Sequence, residues 1–179
     1  MKNPLVSVVC TSFNKEKWIA QAIESFLMQE TSFEFEILII DDASTDASSK
    51  IIRKFANENP EKIRFFENEK NLGIAKTWKK ICNKARGKYI ARCDGDDYWI
   101  KKDKLQKQVD LLESNKDSKW CNTEFQTENE EGEIHFRKSF AEKFVKMPED
   151  FTEMLISKGF TNASTWLVDT ELMKEVNNT

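Results

Sequence analysis

The strongest constraint on the fold is an alternation of two hydrophobic periods along the first hundred residues. Short β-branched runs, typical of buried strands, are each followed by polar residues and then by apolar residues spaced three and four apart, as in amphipathic helices. This alternation predicts an α/β fold, a doubly wound and mainly parallel sheet with helices on both faces. The predicted strands are 5–10, 35–40, 63–66 and 89–93, with helices starting near residues 18, 46 and 74.

Two helix boundaries are predicted from cap residues. Ser44 or Thr45 is the predicted N-cap of the second helix, with Asp46 in its first turn. Gly87 is predicted to end the third helix, because glycine suits the left-handed conformation common there. Beyond residue 99 the pattern loosens. The elements predicted in this part are a helix 104–114, strands 120–126 and 134–137, a helix around 151–156, a strand 164–168 and a helix from 170.

The composition is that of a single globular domain. With 179 residues, 39% of them hydrophobic, the chain can bury one sizeable core. Its 28 basic and 31 acidic side chains nearly cancel to a net charge of −3, which argues against a general electrostatic hold on nucleic acid. The four cysteines form no Cys-x-x-Cys pair, which argues against a zinc knuckle and a disulfide framework and favours a reducing compartment. Cys10 and Cys93 lie in apolar runs, so we expect them to act as small buried hydrophobes. The apolar run 5–11 is too short to span a membrane, so we expect a soluble, cytoplasmic protein.

Polar clusters follow three of the predicted strands, at 11–14, 41–42 and 94–97. Because the carboxyl ends of parallel strands share one edge of the sheet, where α/β proteins bind ligands, we expect these clusters to converge on one crevice. Each also has an ordinary structural interpretation. Asp41-Asp42 could cap the following helix, and 11–14 could be a simple turn.

Asp94-Gly95-Asp96-Asp97 is the most informative cluster, because three carboxylates within four residues repel one another unless a cation or several donors neutralise them. We predict a bound Mg²⁺ or Mn²⁺. Such ions take one or two protein carboxylates and complete their shell with water and phosphate oxygens, which indicates a diphosphate-bearing ligand. A solvated turn is the structural alternative. An EF-hand is excluded, because Trp99 stands where that loop requires glycine.

Other common active sites lack their signatures. No Gly-x-Gly-x-x-Gly follows the first strand, and the chain contains no Gly-x-x-x-x-Gly-Lys-Ser/Thr, which argues against a dinucleotide dehydrogenase and a P-loop NTPase. His135 is the only histidine, so a Ser-His-Asp triad has no obvious base.

Four motifs occur in a fixed order: Val6–Asn14, Ile39–Asp46, Asn71–Gly73, and Ala85–Ile90 followed by the DxD element at 94–97. Together they resemble the inverting glycosyltransferases of family 2. Tyr98-Trp99, with Lys104–Gln108 after it, adds a likeness to a bacterial subgroup, so the resemblance covers about the first 115 residues and extends faintly to the end. It implies a GT-A fold, a Rossmann-like domain that binds a nucleotide-sugar donor.

The resemblance also implies roles for the matching residues. Asp41 would accept a hydrogen bond from the base, commonly from uracil N3–H, which suits an acceptor-only carboxylate. The nucleotide pocket would be lined by Thr11, Ser12, Phe13 and Asn14. Phe13 departs from the tyrosine of many members and lacks its hydroxyl.

In the DxD element, Asp96 would bind Mn²⁺ or Mg²⁺ together with Asp94, which would also lie near the ribose and diphosphate. Asp97 would lie close to the donor sugar. The other predicted substrate-binding residues are Asp42, Asn71, Gly73 and Gly95.

The predicted function is metal-dependent transfer of a sugar, with inversion, from a UDP-sugar or related donor to a saccharide or lipid-linked acceptor hydroxyl in bacterial-type glycan synthesis. A peripheral position at the inner face of the membrane would suit a lipid-linked acceptor. The alternative function is a non-catalytic nucleotide-sugar-binding module.

The family pattern predicts an incomplete catalytic set. Residues 1–115 would form the nucleotide-binding half of one GT-A domain, and 116–179 the start of the acceptor-side half. In the family the general base follows a segment resembling 162–168, a helix and a further loop, so we expect it beyond Thr179. Asp169 and Glu171 are the nearby substitutes. This chain is therefore expected to bind the donor and to transfer sugar poorly.

Overall fold

The computed structural model describes residues 3–129, 131–135 and 162–178. The strands are β1 (Val6–Ser12), β2 (Phe35–Asp41), β3 (Ile63–Glu67), β4 (Tyr89–Arg92), β5 (Trp120–Cys121), β6 (Thr127–Glu128), β7 (Ile134–His135) and β8 (Leu167–Asp169). The helices are α1 (Ile19–Leu27), α2 (Ser48–Glu58), α3 (Ile74–Cys82), α4 (Lys104–Ser114) and α5 (Thr170–Asn178), with a 3₁₀ turn at Ala163–Thr165. The predicted helix around 151–156, and positions 136–137 of a predicted strand, lie outside the described residues.

Within these ranges, six strands form one sheet in the order β3-β2-β1-β4-β8-β5. β1 pairs in parallel with both β2 and β4, and β2 pairs in parallel with β3. β8 is antiparallel to β4 on one side and to β5 on the other. β6 and β7 form a separate antiparallel pair. The sheet confirms the predicted α/β, mainly parallel architecture.

Two apolar layers cover the two faces of this sheet, because successive residues of a strand point to opposite faces. Val8 of β1 belongs to the layer that contains residues of α1, α2 and α4, whereas Val9 belongs to the layer with residues of α3 and α5. The four cysteines are free and buried, which confirms the prediction that Cys10 and Cys93 act as small buried hydrophobes. Across the described segments, no helix is long and apolar enough to cross a membrane.

The predicted N-cap of α2 is wrong. The helix begins at Ser48, after Ala47, and not directly after Ser44 or Thr45. Asp46 accepts the N–H of Ser48 at 2.9 Å, whereas the Ser44 hydroxyl donates to Asp41 at 2.6 Å. Ser44 is therefore part of the site edge described below.

The prediction that Gly87 ends α3 is also wrong, since the helix ends at Cys82. Gly87 instead crosses β1 so closely that a Cβ atom there would lie 2.6 Å from the Ser7 nitrogen. The predicted strand 164–168 is a 3₁₀ turn followed by β8, because the Asn162 side chain accepts the N–H of Ser164 and curls the chain. Of the predicted strand 120–126, only β5 forms.

Candidate functional site

The three polar clusters meet at the carboxyl edge of the sheet, as the sequence predicted. The N–H of Asp42 donates to Ser12 O at 2.8 Å, and the N–H of Gly95 donates to Thr11 O at 3.1 Å. The backbone of Gly95 packs closely against the end of β1: a Cβ atom added at Gly95 would lie 3.2 Å from Thr11 O. The ends of β1 and β2 and the loop after β4 therefore form one continuous polar surface.

Side chains tie the turn after β1 to the turn after β2. The N–H of Asn14 donates to Ser44 Oγ, and the N–H of Thr45 donates to Asn14 Oδ1, both at 2.9 Å. Asn14 (φ 54°) and Ala43 (φ 62°) both adopt the left-handed conformation, which costs an alanine about 1–2 kcal/mol. Such strained positions are held by their surroundings and cluster at binding sites.

The predicted nucleotide-pocket residues differ in exposure. Thr11 and Ser12 are buried, whereas the Phe13 ring is 42% exposed and Asn14 is exposed. The Ser12 hydroxyl is buried and has no hydrogen-bond partner within the described part of the chain. A buried hydroxyl without a partner is a group that a ligand or a water molecule commonly satisfies.

Asp41 is buried at the end of β2, and its two oxygens accept hydrogen bonds from Ser44: Oδ1 from the hydroxyl and Oδ2 from the N–H at 2.8 Å. Burial raises the pKa of Asp41, and these hydrogen bonds only partly oppose the increase. A carboxylate has about four acceptor positions. Asp41 therefore keeps capacity for at least one further donor.

Asp42 points to the loop before α3 and holds it. It accepts the side-chain amide of Asn68 at 2.6 Å and the N–H groups of Leu72 and Gly73 at 2.9 Å. Burial by itself raises the pKa of Asp42, but these hydrogen bonds outweigh it and lower the pKa. Asn71 and Gly73 (φ 81°) are exposed at the tip of this loop.

Residues 94–97, which we call the carboxylate loop, form a turn closed by the N–H of Asp97 on Asp94 O at 3.0 Å. Asp94 accepts the Thr11 hydroxyl at 3.3 Å and two N–H groups of Arg92 at 3.2 Å. The Arg92 guanidinium also lies over the Trp78 ring, 4.5 Å from its centroid. Asp94 is therefore charge-balanced by a cation that is itself packed in place.

The other two carboxylates have different partners. Asp96 Oδ2 lies 2.5 Å from Lys15 Nζ, and Asp97 accepts the Ser164 hydroxyl at 2.5 Å. Burial raises the pKa of Asp97, with the charges of Asp96 and Asp94 adding to the increase. Lys15, Arg92 and Ser164 thus donate to the three carboxylates whose repulsion, judged from the sequence alone, called for a metal ion.

Ser164 links the carboxylate loop to the far end of the chain. Its hydroxyl accepts the N–H of Asp94 at 3.0 Å and donates to Asp97, and its carbonyl accepts Trp99 Nε1 at 2.9 Å. Sequence reasoning missed Ser164, Lys15 and Arg92. Lys15 and Arg92 adjoin predicted motifs, but no local signal marks Ser164.

The carboxylate loop suits a small hard cation. No three acidic, histidine or cysteine side chains in the described segments converge on one point. Mg²⁺ and Mn²⁺ commonly take only one or two carboxylates and fill their shell with water and phosphate oxygens. Asp96 is the best placed, because its side chain is 41% exposed and makes an ion pair with Lys15. Asp94 would need to release Arg92 to contribute.

The substitutes for a general base lie away from this edge. Asp169 pairs with Tyr89, the first residue of β4, and therefore sits at the opposite edge of the sheet from the carboxylate loop. Its carboxylate accepts the N–H groups of Glu171 and Leu172, as a helix cap does. Neither Asp169 nor Glu171 is placed to act on a substrate at the carboxylate loop.

Comparison with known proteins identifies a matching family and several relatives of the chain. The family model described as "Glycosyl transferase family 2" matches residues 7–175. The chain is 40% identical over 116 residues to an uncharacterized protein of Mycobacterium tuberculosis, which covers 65% of this chain and 34% of that protein. It is 38% identical over 109 residues to the Bacillus subtilis glycosyltransferase TuaG, named for teichuronic acid biosynthesis, covering 61% of this chain and 42% of TuaG. The chain thus spans less than half the length of these relatives.

Solved structures share the fold. Staphylococcus aureus TarS 1–349 in complex with UDP-GlcNAc superposes with a TM-score of 0.71 at 23% identity, covering 96% of this chain and 47% of that one. The mannosyltransferase PcManGT of Pyrobaculum calidifontis, in complex with GDP-Man and Mn²⁺, gives a TM-score of 0.69 at 17% identity and covers 98% and 47%. At these identities the likeness concerns the fold alone.

Proposed function

Because the chain belongs to glycosyl transferase family 2, we propose that it forms the donor-binding part of an inverting enzyme that moves a sugar from a nucleoside diphosphate to an acceptor hydroxyl. The observation that carries this proposal is the convergence of Asp41, the turn after β1 and the carboxylate loop on one edge of the sheet. The whole protein's acceptor, a saccharide or a lipid-linked saccharide, is part of the same proposal.

The donor base is proposed to meet Asp41. The carboxylate is held by Ser44 and retains acceptor capacity, which matches the imide N–H of uracil. Phe13 follows Ser12, the β1 partner of Asp41, and its exposed ring is proposed to stack on the base. TarS was solved with UDP-GlcNAc and PcManGT with GDP-Man, so the shared fold accepts more than one base. An acceptor-only carboxylate suits the N3–H of uracil and also the N1–H of guanine. We propose UDP because TarS, solved with a UDP-sugar, shares 23% identity with this chain against 17% for PcManGT.

The diphosphate is proposed to lie over the carboxylate loop, with a divalent cation held by Asp96 and Asp94. That cation would neutralise the charge that develops on the departing nucleoside diphosphate. Asp97, held by Ser164, would then face the donor sugar. PcManGT carries Mn²⁺ in its complex, which supports a divalent ion for this chain.

A thermal-shift panel tests the donor and the metal together. UDP-, GDP-, dTDP- and CMP-sugars are added with Mn²⁺ or with EDTA, and a ligand at a hundred times its Kd should stabilise the fold by about 2.7 kcal/mol. We expect the largest shift from a UDP-sugar with Mn²⁺. Equal shifts in Mn²⁺ and EDTA would exclude the metal dependence, and no shift from any donor would exclude the function.

Asp96→Ala is the matching variant. It should fold normally, because Asp96 is exposed, and it should lose the Mn²⁺-dependent part of the shift. Asp110→Ala removes an exposed carboxylate on α4 and should behave like the wild type. A wild-type metal response in Asp96→Ala would show that the ion binds elsewhere.

A further inference from the structure

Lys15 occupies a cation's position beside the carboxylate loop. Its ammonium lies 2.5 Å from Asp96 Oδ2 and also acts electrostatically on Asp97. This charge also favours the ionised form of Asp97, whose carboxyl is partly buried and adjoins two other carboxylates. The lysine thus supplies a positive charge at the point where the donor-binding proposal places a divalent ion.

Hydrogen bonds hold the main chain of Lys15 in place, while its side chain can change conformation independently. The N–H of Lys15 donates to the Ser48 hydroxyl at 2.7 Å, and its carbonyl accepts the N–H groups of Trp18 at 3.0 Å and Ile19 at 2.9 Å. The ammonium also lies 5.6 Å from the centroid of the Trp18 ring, which gives it a second favourable neighbour. Rotation of the side chain alone would free Asp96.

The two ion pairs of the loop differ in how easily they separate. Lys15 and Asp96 have side chains that are 31% and 41% exposed, and an exposed pair of this kind contributes about 0–1 kcal/mol. Arg92 binds Asp94 through two N–H groups, is 18% exposed and packs on Trp78. The pair at Asp96 is therefore the one that an incoming cation replaces more readily.

We propose that Lys15 is a built-in counter-ion of Asp96, which a divalent cation must displace in order to bind the carboxylate loop. This inference rests on the proposed function, because it takes Asp96 as a metal ligand. Its consequence is that Lys15 lowers the metal affinity of the protein: without metal, Lys15 and Arg92 balance two of the three loop carboxylates, and the ion binds more weakly than the carboxylates alone would allow.

The test is a Mn²⁺ titration without nucleotide, in which free Mn²⁺ is measured by electron paramagnetic resonance. Lys15→Met keeps most of the length of the side chain and removes its charge, so the Kd for Mn²⁺ should fall about 2- to 5-fold, the equivalent of an exposed ion pair. Lys15→Arg can bind Asp96 through two N–H groups and should raise the Kd. Lys17→Met is the control, because Lys17 lies over the same Trp18 ring and carries the same charge.

Lys15→Met should bind Mn²⁺ most tightly and Lys15→Arg most weakly. Wild type and Lys17→Met should have equal affinities between these two. Equal affinities of wild type and Lys15→Met, with Mn²⁺ still strengthening the donor shift, would overturn the counter-ion role and leave the proposed function intact. Equal strengthening by both Met variants would reduce the effect to general charge and also overturn it. If no variant binds Mn²⁺ with or without UDP, both the counter-ion role and the proposed metal dependence are wrong.

Discussion

At the residue scale, the carboxylates of the site differ in how many of their acceptor positions are already used. Asp42 receives donors from three residues of the loop before α3 and is buried. Asp41 receives two donors, both from Ser44, and Asp96 is exposed beside Lys15. Asp42 therefore shapes the loop that carries Asn71 and Gly73, while Asp41 and Asp96 keep capacity for a ligand.

Asp41→Asn should weaken nucleotide binding by about 1–3 kcal/mol, because an amide nitrogen would face the imide donor of the base. The fold should persist, since an asparagine oxygen can still accept the N–H of Ser44. Calorimetric titration with UDP measures the effect. Ser44→Ala is the control: it removes the hydroxyl bonded to Asp41 but leaves the carboxylate in place, and its loss should be smaller. Unchanged affinity in Asp41→Asn would reduce Asp41 to a structural turn residue.

Ser164 is predicted to act through Asp97. Its hydroxyl accepts the N–H of Asp94, which directs its own proton to the Asp97 carboxylate. In calorimetric titrations, Ser164→Ala and Asp97→Asn should therefore each weaken the binding of the UDP-sugar that gives the largest thermal shift and leave the binding of UDP unchanged. The double variant should be no worse than either single one, with a coupling energy of about 1–2 kcal/mol. Additive losses would contradict this coupling, and Ser114→Ala, on the exposed end of α4, should change neither affinity.

At the element scale, the carboxyl ends and the amino ends of the parallel strands hold different kinds of polar cluster. The carboxyl edge holds the candidate site, whereas the amino edge holds a buried carboxylate, Glu36 on β2. Glu36 accepts the Ser7 hydroxyl at 2.8 Å, the Arg64 guanidinium at 2.9 Å, and both the N–H and the guanidinium of Arg86. This cluster connects β1, β2, β3 and the segment before β4. We therefore infer that its role is to stabilise the fold.

Burial by itself raises the pKa of Glu36, but hydrogen bonds from Arg86 and Arg64 outweigh it, and the pKa lies below its ordinary value of 4.5. A carboxyl group whose pKa is lower in the folded state stabilises the fold above the unfolded-state pKa. That contribution is lost as the pH falls through the folded-state pKa. The wild-type stability should therefore fall below about pH 4.5 in part because of Glu36.

Glu36→Gln should lower the free energy of unfolding by about 2 kcal/mol at pH 7, because its hydrogen bonds lose their charge. The variant should also lose stability less steeply below pH 4.5, the ordinary pKa of the replaced group. Urea unfolding between pH 3 and 7 measures both effects. Glu113→Gln, which breaks an exposed pair with Lys88, should change little. A wild-type pH profile in Glu36→Gln would show that Glu36 does not contribute to acid unfolding.

At the scale of the whole molecule, the last described segment closes the sheet. β8 lies between β4 and β5, so β5 joins the sheet only through it in the described part of the chain. Gln108 of α4 donates to Thr165 O at 2.9 Å, and the Thr170 hydroxyl donates to Gly87 O at 2.8 Å. These contacts predict one cooperative unit, in which residues 3–115 and 162–178 unfold together.

Leu167→Ala tests this cooperativity. Leu167 of β8 is fully buried, and its truncation should cost about 2–5 kcal/mol. Unfolding followed by tryptophan fluorescence and by far-ultraviolet circular dichroism should shift together and remain coincident. Leu111→Ala, on the exposed face of α4, should have little effect. Separate transitions for the two probes would show that the two halves fold independently.

Local pattern was sufficient to predict β1 to β4, the helices between them and the polar residues that end three strands. Side-chain period and turn chemistry depend on neighbours a few residues apart, and burial on both faces of a parallel sheet makes its strands short apolar runs. The convergence of 11–14, 41–42 and 94–97 follows from the same rule, because parallel strands end at one edge. The placement of the helix caps at Ser44 and Gly87 failed, because both residues are used by contacts with other elements.

By itself, the sequence determined the α/β class, the order of the early elements and the edge of the sheet at which the polar clusters meet. Only the tertiary structure decided that β8 enters antiparallel beside β4, and that Lys15, Arg92 and Ser164 surround the carboxylate loop. Lys15 is 81 residues from Asp96 and Ser164 is 67 residues from Asp97 along the chain. Strand order and crossover geometry bring such distant residues together, and neither can be predicted from local periodicity.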